Sequence, residues 1–164
     1  MTVEQDPIAW QDGFVLGYGP MDRTHEEFVE LLGQLQSAPD AQLPALLDEF
    51  LAHTERHFEE EDRWMQETAF PPRDCHIEEH GKVLASVREV RALLAQGRVD
   101  LCRSLAQALA EWFPGHATHL DSALAHWMFK RDHGGKPVVI RRVIPEGAGV
   151  PPQSDRATGS ARGA

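Results

Sequence analysis

Two pairs of metal-capable side chains stand four residues apart in this chain, His57 with Glu61 and His76 with His80. Residues four apart on an α-helix are neighbours on one face. Each pair also continues an apolar stripe, one running from Phe50 to Trp64 and the other through Val83, Val87 and Leu94. His25 shares a face with Phe28, Val29 and Leu32, and His116 follows Trp112 by one turn on the core side. Each of four segments therefore aims an imidazole inward, with Glu61 and Asp121 as accompanying acids. A buried polar group without a partner costs roughly 1–3 kcal/mol. One inward histidine is ordinarily a hydrogen-bonded core residue, but two such pairs with donors from two further segments point to metal ligation.

The donor types narrow the metal. Five imidazoles and two carboxylates exceed what one ion uses, which implies two. The nitrogen content excludes an all-oxygen magnesium or calcium site, and a structural zinc site would more often use cysteine. A coupled copper pair with three histidines per ion would want six, without bridging acids. Ferritin-like iron pairs carry a Glu-x-x-His motif on each of two helices, and none occurs here; the nearest is Asp22 before His25. An imidazole-rich pair of irons bridged by carboxylates fits best.

Four segments of helical periodicity must position these groups, over residues 21–36, 41–67, 74–95 and 99–129. The breaker-rich connections "SAPD", "AFPPRD" and "QGR" are short, with Asp74 placed to cap the third helix. Short connections predict antiparallel neighbours, hence an all-α, up-down-up-down four-helix bundle. Residues 1–20 read as an irregular N-terminal arm packed on by Trp10, Phe14 and Tyr18, and residues 21–130 as the bundle. Residues 131–164 read as a basic, flexible C-terminal tail. From Lys130 onward, seven Lys/Arg face Asp132, Glu146 and Asp155, a net +4 against -14 for residues 1–129. Within the tail only "KPVVIRRVI" suits a short strand or a segment on which a protein partner docks.

The fourth segment holds a conflict. In "EWFPGHATHLD", Pro114 and Gly115 directly precede His116, and Asp121 follows it by five residues. Five residues of regular helix turn the second side chain about 140° from the first. Pro114 cannot donate to the carbonyl of Ala110, so it loosens the helix here. One turn widened to a π-type bulge would bring the pair together. Either the dipeptide tunes that geometry or it is incidental to it.

A net charge of -10 argues against nucleic acid and against an anionic membrane surface as partners. Neither a leader-like segment nor an apolar run of membrane-spanning length is present. Cys75 and Cys102 are too few for a disulfide framework and read as free thiols of a cytoplasmic protein.

The motifs "GPMDRTH", "HFEEEDRWM", "FPPRDCHIEEH" and "WFPGHATHLD" resemble the hemerythrin family and, within it, the single-domain bacterial hemerythrins. The resemblance spans about residues 8–130 and fills all seven ligand positions of the family pattern. It implies one iron held by His76, His80 and His116, a second held by His25 and His57, and both bridged by Glu61, Asp121 and an oxo or hydroxo group. The first iron would then be six-coordinate and the second five-coordinate, open to dioxygen. It implies cycling between Fe2+ and Fe3+, no side-chain acid or base, and an apolar wall for which Phe28, Phe58, Trp64, Trp112 and Phe113 are candidates. His53, one turn before His57, is passed over by the family pattern, and Asp22 is a candidate to support a ligand imidazole. A reversible oxygen carrier or store is the leading expectation, without enzymatic turnover. An oxygen or redox sensor acting through a partner, and an enzyme handling peroxide or nitric oxide, stay open.

Overall fold

Each apolar stripe becomes a helix of the computed structural model, which describes residues 6–134. Helix α1 covers Gly19–Ser37, α2 Leu43–Glu67, α3 Arg73–Leu94 and α4 Val99–His116. A π-helical turn, Ala117–Asp121, continues α4 into α5, Ser122–Asp132, so the last three elements act as one bent fourth helix. The helices pack in sequence order around a ring, α1 on α2, α2 on α3, α3 on α4 and α4 back on α1, an up-down-up-down four-helix bundle. The basic C-terminal segment beyond Gly134, with "KPVVIRRVI", lies outside the described residues.

The ends of the helices follow local chemistry. Pro20 and Pro44 sit in the first turns of α1 and α2, where a missing N–H has no helical partner to lose. Helix α2 ends with Ala69 in the left-handed region at φ 53° and the Phe70 amide donating to the Met65 carbonyl at 2.9 Å. Asp74 does not cap α3. It lies inside the first turn without a capping bond, and Pro72 precedes the helix. Across the bundle, Arg103 of α4 caps the end of α1 by donating to the carbonyls of Leu35, Gln36 and Ala38 and to Asp40.

The arm is tied down at several points. Phe14 packs edge-on against Phe113, with ring centroids 5.3 Å apart. The Ile8 amide donates to Gln36 Oε1 at 2.7 Å, and the Ile8 carbonyl runs so close to α1 that a Cβ at Gly33 would meet it at 2.6 Å. Any side chain at 33 would therefore lift the arm. The Tyr18 hydroxyl donates to Asp132 at the end of α5.

Two apolar clusters fill the bundle. The larger centres on Phe28, Leu32, Phe50, Phe58, Val87 and Phe113. The smaller contains Tyr18, Met21, Met65, Phe70, Leu124 and Met128. His25, Glu61 and Asp121 fall in the sequence interval between the two clusters on α1, α2 and the fourth helix, with His57 and His116 directly before Phe58 and Ala117 at its edge, so the core is crossed by a polar layer.

The π turn answers the spacing conflict. Ser122 N–H donates to the carbonyl of Ala117, five residues back, and His116 Nε2 and Asp121 Oδ1 stand 3.1 Å apart. The widened turn begins beyond Gly115, and the carbonyl deprived of a donor by Pro114 is that of Ala110, a turn earlier. A Cβ at Gly115 would meet nothing within 4 Å. Pro114→Ala/Gly115→Ala is therefore expected to stabilise the protein by about 1–3 kcal/mol in urea unfolding, with metal uptake unchanged. Loss of metal uptake at unchanged helix content would instead make the dipeptide the device that sets the pair.

Candidate metal centre

All seven candidate residues are buried, at 0–4% relative exposure. Helix α1 delivers His25, α2 delivers His57 and Glu61, α3 delivers His76 and His80, and the fourth helix delivers His116 and Asp121. Their ligand atoms gather in two groups. Glu61, His76, His80, His116 and Asp121 form one, and His25, His57 and Glu61 the other, each within 4.8 Å.

The carboxylates divide their oxygens between the groups. Glu61 Oε1 stands 3.3 Å from His25 Nε2 and 3.0 Å from His57 Nε2, while Oε2 stands 3.4 Å from His80 Nε2 and 3.8 Å from His76 Nε2. Asp121 Oδ2 lies 3.2 Å from His25 Nε2, while Oδ1 lies 2.9 Å from His76 Nε2 and 3.1 Å from His116 Nε2. Each acid thus presents one oxygen to the two-histidine side and the other to the three-histidine side.

Whether a cation suits this cluster is tested by its unmet polar atoms. Among the described residues, the buried side-chain polar atoms without a hydrogen-bond partner are His53 Nε2 and eight atoms of His25, His57, Glu61, His76 and Asp121. Of the short N···O approaches among these residues, that of His57 Nε2 to Glu61 Oε1 at 3.0 Å is a hydrogen bond, and the others leave their atoms unmet. His80 and His116 add a sharper point. Their Nδ1–H groups donate outward to Asp62 at 2.7 Å and Glu79 at 3.2 Å, which leaves lone pairs on two Nε2 atoms 3.3 Å apart. A proton shared there would satisfy one pair and leave the other inward nitrogens unmet. Donors about 2.1 Å from a common ion and at right angles to one another would be about 3 Å apart. The residues fit a pair of metal ions.

The electrostatics agree. Burial opposes a charge on His25, yet the carboxylates of Asp121 and Glu61 outweigh it and raise its pKa to about 10. Burial and the Asp121 charge push Glu61 up, but His57 and His25 pull it well below the usual carboxylate range. Burial also acts against the Asp121 anion, and His116, His25 and His76 overcome it in the same way. Both acids stay anionic in the core and create a potential that favours cations.

Aromatic rings cover the cluster unevenly. Phe113 meets His25 edge-on at 5.4 Å, Phe28 meets His57 at 5.7 Å, and Phe58 stacks on His80 at 3.9 Å. Trp112 stacks on His116 at 4.3 Å. Trp64 belongs elsewhere: it packs on Tyr18 beside the smaller cluster. Asp22 holds no imidazole and instead accepts the Leu16 and Gly17 amides at 2.7 and 3.0 Å, fastening the arm to α1. His119, His126 and His133 are exposed, as is Cys75. The sequence reading missed Asp62 and Glu79. Each lies next to a candidate ligand in the chain, but Asp62 serves a histidine of another helix, and so does Glu79. Spacing along one helix carries no signal of that.

Residues 16–127 match the family described as the hemerythrin HHE cation binding domain. A bacteriohemerythrin of Ralstonia nicotianae is 41% identical over 124 residues, covering 76% of this chain and 90% of that one. A myohemerythrin of Sipunculus nudus is 26% identical over 116 residues, covering 71% and 89%. A crystal structure of a mutant hemerythrin superposes with TM-score 0.66 at 16% identity, over 74% of this chain and 99% of that one, which speaks to the fold.

His53 lies outside the seven residues and yields a prediction about stability. It is 6% exposed, with Glu27 3.5 Å from Nδ1. Burial, then the charges of His57 and Arg56, lower its pKa from 6.5 to about 4 against an opposing bond to the Thr24 backbone. Between those values the unfolded chain binds a proton that the folded chain refuses, so stability is lost as pH falls through the window. His53→Leu should remove that loss. Its stability relative to the parent should rise by about 3 kcal/mol between pH 6.5 and 4 in urea unfolding. An unchanged pH dependence would contradict this.

Proposed function

The chain belongs to the hemerythrin family, and on that footing we propose that it is a carrier or store that binds dioxygen reversibly, not an enzyme. Family and buried cluster together fit a di-iron oxygen-binding protein. We assign His76, His80 and His116 to one iron and His25 and His57 to the other. Glu61 and Asp121 would be shared between the two, together with an oxo or hydroxo group. The free thiols of Cys75 and Cys102 support placing the protein in the cytoplasm.

The observation that carries this reading is the divided presentation of Glu61 and Asp121 between three histidines and two. With both acids shared, the two-histidine side is one nitrogen short of its neighbour. When bound, the iron pair supplies a vacant coordination position for dioxygen and the two electrons that hold it reversibly. The chain supplies the rest. Five imidazoles and two carboxylates from all four helices hold the metals. Phe28 and Phe113, both at 0–1% exposure, cover the two-histidine side and exclude water. No other protonatable side chain contacts the inward atoms of His25 or His57 among the described residues, so a bound ligand finds no proton donor on that side.

The test is a visible spectrum of the dithionite-reduced protein before and after air, with iron counted on the same sample. Two irons per chain and an absorption band that appears with air and fades on deoxygenation are expected. A band that never forms, or that decays at once to a stable oxidised spectrum, would favour sensing or redox turnover. Phe113→Leu thins the wall beside His25 and should shorten the lifetime of the oxygenated form several-fold at unchanged iron content. An unaltered lifetime would remove Phe113 from the wall.

A further inference from the structure

The two sides of the centre differ in what stands behind their ligands. On the three-histidine side, two of the three rings are held from outside. His80 donates Nδ1–H to Asp62 Oδ1 at 2.7 Å, and Phe58 lies flat on its ring with planes 2° apart. His116 donates Nδ1–H to Glu79 Oε1 at 3.2 Å, while Trp112 stacks on its ring and donates Nε1–H to the same oxygen at 2.7 Å. On the two-histidine side, Nδ1 of His25 and Nδ1 of His57 have no partner among the described residues. Their aromatic neighbours Phe113 and Phe28 meet them edge-on, which covers the rings without an acceptor for their N–H groups.

We propose that Asp62 and Glu79 are positioning residues that make the three-histidine position the tighter of the two, so that the two-histidine position fills second and empties first. The inference rests on the iron-pair reading above and deepens it. A carboxylate behind a ligand imidazole fixes the tautomer and ring orientation and strengthens the nitrogen as a donor. Loss of such a partner lowers metal affinity by about 10–100-fold. Both supports fall on one side, so their contribution is unequal by construction. The position proposed to receive dioxygen is thus also the labile one. Both carboxylates reach the surface, with side chains 26% and 36% exposed, so replacing them leaves the core intact.

The test uses chelator-stripped protein titrated with cobalt(II), followed by visible absorption and by metal bound per chain. The parent should take up two ions in two resolved steps. Asp62→Ala and Glu79→Ala should each weaken the tighter step by about 10–100-fold and leave the weaker step in place, with circular dichroism unchanged. Asp62→Asn and Glu79→Gln keep an acceptor oxygen for the imidazole N–H and should recover part of the loss. Glu78→Gln, an exposed neighbour paired with Lys82, should alter neither step. Two ions bound with equal affinity in the parent, or both steps weakened alike in the variants, would overturn the inference while leaving the two-metal reading intact. Fewer than two ions per chain would overturn both.

Discussion

Seven ionisable side chains buried in one layer of a small bundle form the constraint to which the rest of the structure answers. Unmet polar atoms at roughly 1–3 kcal/mol each would consume much of the 5–15 kcal/mol that a domain has in total. The layer is tolerable only with something at its centre that all the donors share. The apolar clusters on either side make matters stricter, because they keep out the water that would otherwise solvate the acids. The same exclusion serves function, since a bound ligand that no water or acid can protonate is released as it came.

The fourth helix shows how the fold bends to the layer. Three helices contribute their donors from regular turns, at spacings of four where there are two. The fourth contributes a pair five apart, which a regular helix would splay, and a single widened turn between His116 and Ser122 closes the gap to 3.1 Å. Helix α5 then resumes with Leu124 and Met128 in the smaller cluster. The deformation is thereby confined to the residues that need it.

Much of this was legible in the sequence. Apolar periodicity located all four helices, because tertiary burial and local pattern agree along each one. The inward histidines were visible because they interrupt stripes that are otherwise Phe, Leu and Val. What stayed hidden depends on contacts between elements. Asp62 sits in the run "EEED", where charges look solvated, and only the docking of α3 brings His80 onto it. Asp22 is close to His25 in sequence, yet the arm folds back and claims its oxygens for the amides of Leu16 and Gly17. Trp64 continues the stripe of Glu61 but reaches past the layer to Tyr18. The loosened turn was anticipated from the spacing of His116 and Asp121, whereas its onset beyond Gly115, at Ala117, follows from packing.

The most direct measurement is thermal unfolding of the iron-loaded protein against the same protein stripped by a chelator, followed by circular dichroism. If shared metal ions are what make the buried layer tolerable, stripping should lower the melting temperature by at least about 10 °C, the equivalent of a few kcal/mol. Restoring two irons per chain should bring it back. Equal melting temperatures would mean that the seven side chains satisfy one another without metal, and the claim that shared ions make the buried layer tolerable would fail.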